Sequence, residues 1–225
     1  ADGEGGAEVY SAATTRDQAR IVFKDAQAMA RRRPELCREL GVEVLAHDIV
    51  QSSTASKFTA LASDSNSLDG LNIHFAAVDE LHAHKTREVY DVLETGTGKR
   101  PQSMLWSITT AGSDRAGICY ELRTYTTKVL SGVIEDESHF GIIYTIDDGD
   151  DWTDETSWRK ANPNWGVSVQ PDVVAQLAAK AMQMPAAQAN FKTKHLDVWV
   201  NADQAWMDMR AWDRCADPDL TIERF

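Results

Sequence analysis

The sequence predicts an α/β fold, a largely parallel sheet flanked by helices, with a smaller helical appendage after about residue 150. Three features carry that expectation. Ile73-His74-Phe75-Ala76-Ala77-Val78 is a short apolar run that reads as a strand buried on both faces, and it ends in adjacent carboxylates, Asp79 and Glu80. Residues 103–108 form a second apolar run, which also ends in small polar residues, Thr109-Thr110-Ala111-Gly112. Between and around these runs lie segments with helical spacing, the alternation that builds crossover units.

In a parallel sheet the C-terminal ends of the strands are where ligands sit. Two acids placed there have one bland reading, a strand that turns polar as it reaches the surface. They also suit nucleotide hydrolysis, with Asp79 on Mg²⁺, directly or through water, and Glu80 orienting or deprotonating the attacking water.

A chain of 225 residues can bury a full core, as one large domain or as one domain with an appendage. No apolar run is long enough to cross a bilayer and no signal peptide opens the chain. It begins Ala-Asp-Gly-Glu-Gly-Gly and enters a strand-like run at once, which reads as a piece of something longer. Cys37, Cys119 and Cys215 are too few and too scattered for a disulfide framework or a zinc site, and they suit a reducing cytosol. The net charge of −12 argues against a protein that coats nucleic acid. Acidic residues crowd the interval from Lys128 to Arg159, which contains no Lys or Arg between its ends. Within it, Asp147-Asp148-Gly149-Asp150-Asp151 lacks the ligand spacing of a calcium loop, so a solvated acidic loop is expected, or a docking segment for a basic partner.

Taken in order, residues 7–13 read as a buried strand. Thr14 or Thr15 then caps a helix running towards Arg33, where Pro34 stops it. Ala19, Val22, Phe23, Ala26, Met29 and Ala30 make its apolar stripe. Arg16, Arg20, Lys24 and Arg31 gather on another face, either as the wet side of the helix or as a surface for a phosphate backbone. Residues 42–45, 49–52 and 58–61 suggest small strands or a hairpin, followed by a loop through residues 63–67. After Glu80, the spacing of His82 and His84 does not put both rings on one helical face, and zinc is not expected. Residues 87–95 read as a helix closed by Gly96 and Gly98, residues 117–130 as an amphipathic helix, and residues 139–146 as a further strand. Helices start near Pro171 and Pro185, and most of the seven tryptophans read as packing anchors.

Together these stretches resemble the large terminase subunit of tailed bacteriophages, the ATPase that pumps DNA into capsids. The resemblance rests on Val9-Tyr10-Ser11-Ala12-Ala13-Thr14-Thr15-Arg16-Asp17-Gln18-Ala19, Asp69-Gly70-Leu71-Asn72, Val78-Asp79-Glu80-Leu81-His82-Ala83-His84 and Ile108-Thr109-Thr110-Ala111-Gly112. It continues through Trp158-Arg159-Lys160-Ala161-Asn162-Pro163-Asn164 to Trp212, so that order and spacing carry it across nearly the whole chain.

The resemblance implies a P-loop NTPase (ASCE-like) core over residues 1–150, and a lid and linker over residues 151–225 leading towards a nuclease domain. It implies ATP and Mg²⁺ as cofactors, with Asp79 on the metal at the end of a Walker B strand and Glu80 as catalytic carboxylate. Thr109, Thr110 and Gly112 fall in the coupling motif that senses the nucleotide; Thr109 and Thr110 are both open as the residue that links hydrolysis to movement. Implied partners are double-stranded DNA, a portal protein and a small terminase subunit, around a homo-oligomeric ring in the host bacterial cytoplasm, with no membrane. Two departures stand out. A Gly-rich phosphate loop with Lys and Ser/Thr does not occur in this sequence, and Gly96-Thr97-Gly98-Lys99-Arg100-Pro101 precedes a strand rather than opening a helix. In the family that loop would lie just upstream of Ala1, and the nuclease carboxylates would follow Phe225. The chain alone is therefore expected to be inactive. The strand that carries the loop is expected beside the Walker B strand, so its loss would leave an apolar edge there.

Overall fold

A computed structural model of the chain describes residues 4–61, 70–201 and Cys215. The loop expected through residues 63–67, the resemblance at Asp69, and Trp206 and Trp212 lie outside the described residues. The chain divides into two compact units, residues 1–110 with 116–125, and residues 111–115 with 126–225.

The first unit is built on one mixed sheet. Strand β1 (Glu8–Ala12) buries Tyr10, Ser11 and Ala12, and the Ser11 hydroxyl donates to the Ala19 carbonyl at 2.9 Å, tying the strand to the helix that follows. Helix α1 (Arg16–Arg31) starts at Thr15, whose hydroxyl accepts the Gln18 N–H at 3.3 Å. It buries Ala19, Phe23 and Gln27; Phe23 meets Phe58 edge to face at 5.3 Å. Pro34 does more than stop a helix. It sits in the first turn of a second one, α2 (Pro34–Leu40), where its missing N–H costs nothing, and Gly41 ends that helix at φ 65°. Strands β2 (Val42–Val44), β3 (Asp48–Gln51) and β4 (Ser56–Leu61) then pair antiparallel in sequence.

The full order is β2-β3-β4-β1-β5-β6, with β5 (Ile73–Asp79) and β6 (Met104–Ile108). The four strands from β4 to β6 run parallel. One expectation fails here. Strand β5 has β1 on one side and β6 on the other, so no place beside it is open; among the described residues the edge strands are β2 and, on the side of β5, β6. That edge strand exposes Met104 at 51 %, Trp106 at 47 % and Ile108 at 56 %.

Helix α3 (Glu88–Thr97) follows β5 and buries Val89, Leu93 and Gly96. Gly96 is not its stop signal. It lies inside the helix because a Cβ there would meet Ile73 Cδ1 at 2.7 Å, and Gly98 is the residue at the C-cap. Lys99 and Arg100 are occupied structurally: Lys99 Nζ donates to the Leu71 carbonyl at 3.0 Å, and Arg100 donates to the Gly5 and Gly6 carbonyls while pairing with Glu4 at 3.2 Å. Helix α4 (Ile118–Leu130) comes next. The strand expected over residues 139–146 is absent; that stretch is coil, with the Thr145 hydroxyl near the Leu196 and Asp197 carbonyls.

The second unit packs α5 (Glu155–Ala161), α6 (Pro171–Gln183) and α7 (Pro185–His195) around Trp152, Trp158, Val174, Ala178, Phe191 and Leu196. Trp158 anchors it twice over, burying its ring and donating Nε1–H to the Trp152 carbonyl at 2.8 Å. The acidic loop is held by Lys160, whose Nζ lies 2.8 Å from both Asp147 Oδ2 and Asp150 Oδ2.

Candidate nucleotide-hydrolysis site

The site grows from the C-terminal ends of β5 and β6, which lie side by side with Asp79 opposite Ile108. Strand β5 is held on both sides, and the buried Ile73, Ala76 and Val78 fix its height in the sheet. Asp79 is therefore carried on a rigid support. Its Oδ1 accepts the Glu80 N–H at 3.0 Å. Glu80 then takes a left-handed backbone, φ 52° and ψ 47°, which is costly for a residue with a Cβ. The turn lifts the chain out of the sheet direction and into a single 3₁₀ turn, Leu81–Ala83.

That turn brings His82 to the end of β6. The His82 N–H donates to Thr109 Oγ1 at 3.0 Å, and His82 Nδ1 lies 3.0 Å from the same oxygen. His82 Nδ1 is also 3.0 Å from Glu80 Oε2. Thr109 donates its own hydroxyl proton to the Thr110 carbonyl at 2.8 Å. Cys119, from the first turn of α4, lies with Sγ 3.8 Å from Thr109 Oγ1. Burial pushes the Cys119 thiol up, the charge of Glu80 adds to that, and the Thr109 contact opposes it. His84 is buried nearby; burial holds its pKa below the ordinary value, against a hydrogen bond with the Asp79 backbone. Among the described residues no group of three or more His, Cys, Asp or Glu is placed to hold a metal ion, so an ion here would rest on few protein ligands.

The family model for the terminase large subunit ATPase domain matches residues 1–128, and the model for the terminase large subunit endonuclease domain matches residues 133–223. The chain belongs to the terminase large subunit family. It is 43 % identical over 157 residues to the protein YmfN of Escherichia coli strain K12, across 70 % of this chain and 34 % of that one. It is 22 % identical over 220 residues to the terminase large subunit of Enterobacteria phage HK97, across 96 % of this chain and 42 % of that one. The crystal structure of the HK97 large terminase superposes with a TM-score of 0.76 at 22 % identity, covering 95 % of this chain and 44 % of that one. The ATPase domain of the large terminase of Thermus phage P74-26 does so at 0.52 and 14 % identity, covering 86 % and 78 %. These superpositions bear on the fold, a P-loop NTPase type of sheet. The chain spans about two-fifths or less of the length of the curated relatives it matches.

The structure brings Asp79, Glu80 and Thr109 together and places Thr110 directly after them. Gly112 is buried in the second unit, where its carbonyl accepts the Val200 N–H at 3.3 Å. Arg16, Lys24 and Arg31 stand exposed on α1, and Arg20 is half-buried with Nη2 3.2 Å from His47 Nδ1. Sequence reasoning missed His82 and Cys119. His82 was weighed only as a metal ligand, because the left-handed turn at Glu80 that aims it at Thr109 has no signal in residue type.

Proposed function

We propose that the longer protein carrying this chain is a Mg²⁺-dependent ATPase that drives double-stranded DNA into a viral procapsid. The reading includes endonuclease cleavage by the same protein, a portal protein and small terminase subunit as partners, a homo-oligomeric ring and the host bacterial cytoplasm. The second unit, which overlaps the match to the endonuclease-domain model, would carry the lid and linker that lead into the nuclease. One observation supports it above the rest: two adjacent carboxylates stand at the end of the Walker B strand, and His82 Nδ1 lies 3.0 Å from Glu80 Oε2 and 3.0 Å from the hydroxyl oxygen of Thr109, the first threonine of the coupling motif.

The residues present fit the cofactors. Asp79 offers hard carboxylate oxygens, and Mg²⁺ keeps most of its shell as water and phosphate, so a single carboxylate is enough to place it. When bound, Mg²⁺ neutralises the charge on the β and γ oxygens of ATP. Asp79 would hold that ion, from the end of a strand paired on both sides. Glu80, 39 % exposed in its side chain, faces solvent enough to orient a water and take its proton. Thr109 and Thr110, directly after β6, are the residues we assign to sensing the γ-phosphate. The exposed face of α1, with Arg16, Arg20, Lys24 and Arg31, is the surface proposed for DNA, with contacts to phosphates rather than bases.

The test is the metal requirement. In a protein extended to the length of its relatives, Asp79→Asn should lower ATP turnover at least about 100-fold and raise the Mg²⁺ concentration needed for half-maximal rate. A Mg²⁺ titration that superposes on the wild type contradicts the assignment.

A further inference from the structure

We propose that Asp197 is a positioning residue for the coupling step: it grips the peptide directly after the coupling threonines and carries the movement of that peptide into the second unit. The proposal rests on the motor reading above and deepens it, since it names where Thr110 hands its motion on.

The chain passes from the first unit to the second between Thr110 and Ala111. A single planar peptide therefore makes that passage, and both of its polar edges are held. Its carbonyl, that of Thr110, accepts the Thr109 hydroxyl at 2.8 Å. Its N–H, that of Ala111, donates to Asp197 Oδ1 at 3.1 Å. The peptide is stiff about its C–N bond, so a tilt of the carbonyl edge is a tilt of the N–H edge.

Asp197 is mounted to receive that tilt. It follows the C-cap of α7 with φ 52°, a place where glycine is the usual choice. A carboxylate stands there instead, and Asp is one of the few residues with a Cβ that enter the left-handed region routinely. Leu196 before it is fully buried in the core of the second unit, and the Val198 N–H after it donates to the Lys192 carbonyl at 2.9 Å. Further bonds continue the grip: the Val200 N–H donates to the Gly112 carbonyl at 3.3 Å, and Arg115 Nη2 donates to the Trp199 carbonyl at 2.8 Å. Residues 111–115 thus lie along residues 197–200 as one seam, with Ala111 and Gly112 buried. Among these bonds, that of Asp197 is the one on the peptide that Thr109 also holds. A movement of Thr109 or Thr110 on meeting a γ-phosphate is thereby delivered to the end of α7.

The test is made on the extended protein. Asp197→Gly keeps the left-handed backbone and removes the grip, whereas Asp197→Asn keeps an oxygen that accepts the same N–H. Amide exchange at Ala111 should quicken about tenfold or more in Asp197→Gly and stay near the wild-type rate in Asp197→Asn. Steady-state kcat and KM for ATP should stay within about twofold of wild type in both variants, because Asp79, Glu80 and Thr109 all belong to the first unit. The length of DNA moved per ATP hydrolysed should fall about fivefold or more in Asp197→Gly and recover in Asp197→Asn. A merely structural role would lower turnover and translocation together and leave that ratio unchanged. An unchanged ratio, unchanged exchange at Ala111, or an Asn variant no better than the Gly variant overturns the proposal alone when the wild type moves DNA. A wild type that hydrolyses ATP without moving DNA, or that hydrolyses none, removes the motor reading and this proposal with it.

Discussion

Glu80 carries a backbone cost, φ 52°, in the left-handed region that Ala55 and Asp197 also adopt. A left-handed conformation is unfavourable by about 1 kcal/mol for a residue with a Cβ, and glycine escapes that penalty. Glu80→Gly should therefore be more stable than Glu80→Ala by about 1 kcal/mol in urea unfolding, although both lose the His82 contact. Equal midpoints would mean that the turn is not strained. In the second unit, His195 stacks near Phe191 with ring centres 5.4 Å apart, and burial lowers its pKa. The sign follows from proton counting. Between the lowered folded value and the ordinary value of about 6.5 the unfolded chain binds more protons than the folded one. Stability is thus fully present above about pH 6.5 and is lost as pH falls through the folded value. His195→Phe keeps the ring contact and removes the proton. The urea midpoint of the variant minus that of the wild type should rise on going from about pH 7 to about pH 5. A constant gap refutes the assignment.

At the scale of elements, Gly96 shows how a packing need can look like a capping signal. The Cβ of Gly96→Ala would fall 2.7 Å from Ile73 Cδ1 and 3.0 Å from Cγ1, and Ile73 is fully buried, so overpacking should cost about 1–3 kcal/mol. Ile73→Val removes Cδ1 and should restore part of that loss, leaving the double variant less damaged than the sum of the single ones. Strict additivity by calorimetry argues against the contact. The same element shows what a sequence can reveal. Strand β5, α1 with its cap at Thr14 or Thr15 (the structure uses Thr15), and the threonines after β6 were legible because burial on both faces, helical spacing and capping each act within a few residues. The strand order was not. Which strands stand at the edges depends on pairing between distant segments, so β5 was expected to have an open side, whereas it is paired on both. Residues 139–146 carry Phe140, Ile142, Ile143, Tyr144 and Ile146 and read as a strand, yet apolar content does not name a partner, and no strand pairs with them among the described residues.

For the whole molecule, the candidate site was half legible. Asp79, Glu80 and Thr109 were read from strand ends, whereas His82 reaches them only through the left-handed turn at Glu80, a backbone event that residue identity does not announce. The chain belongs to the terminase large subunit family and spans about two-fifths or less of the length of the curated relatives it matches. The central claim is that Glu80 activates the water that attacks ATP. The direct measurement is steady-state phosphate release by the extended protein carrying Glu80→Gln, run beside nucleotide binding by the same variant. The change keeps size and hydrogen bonding and removes the base, so turnover should fall at least about 100-fold while ATP affinity stays within about threefold of wild type. Phosphate release at the wild-type rate by that variant would contradict the account.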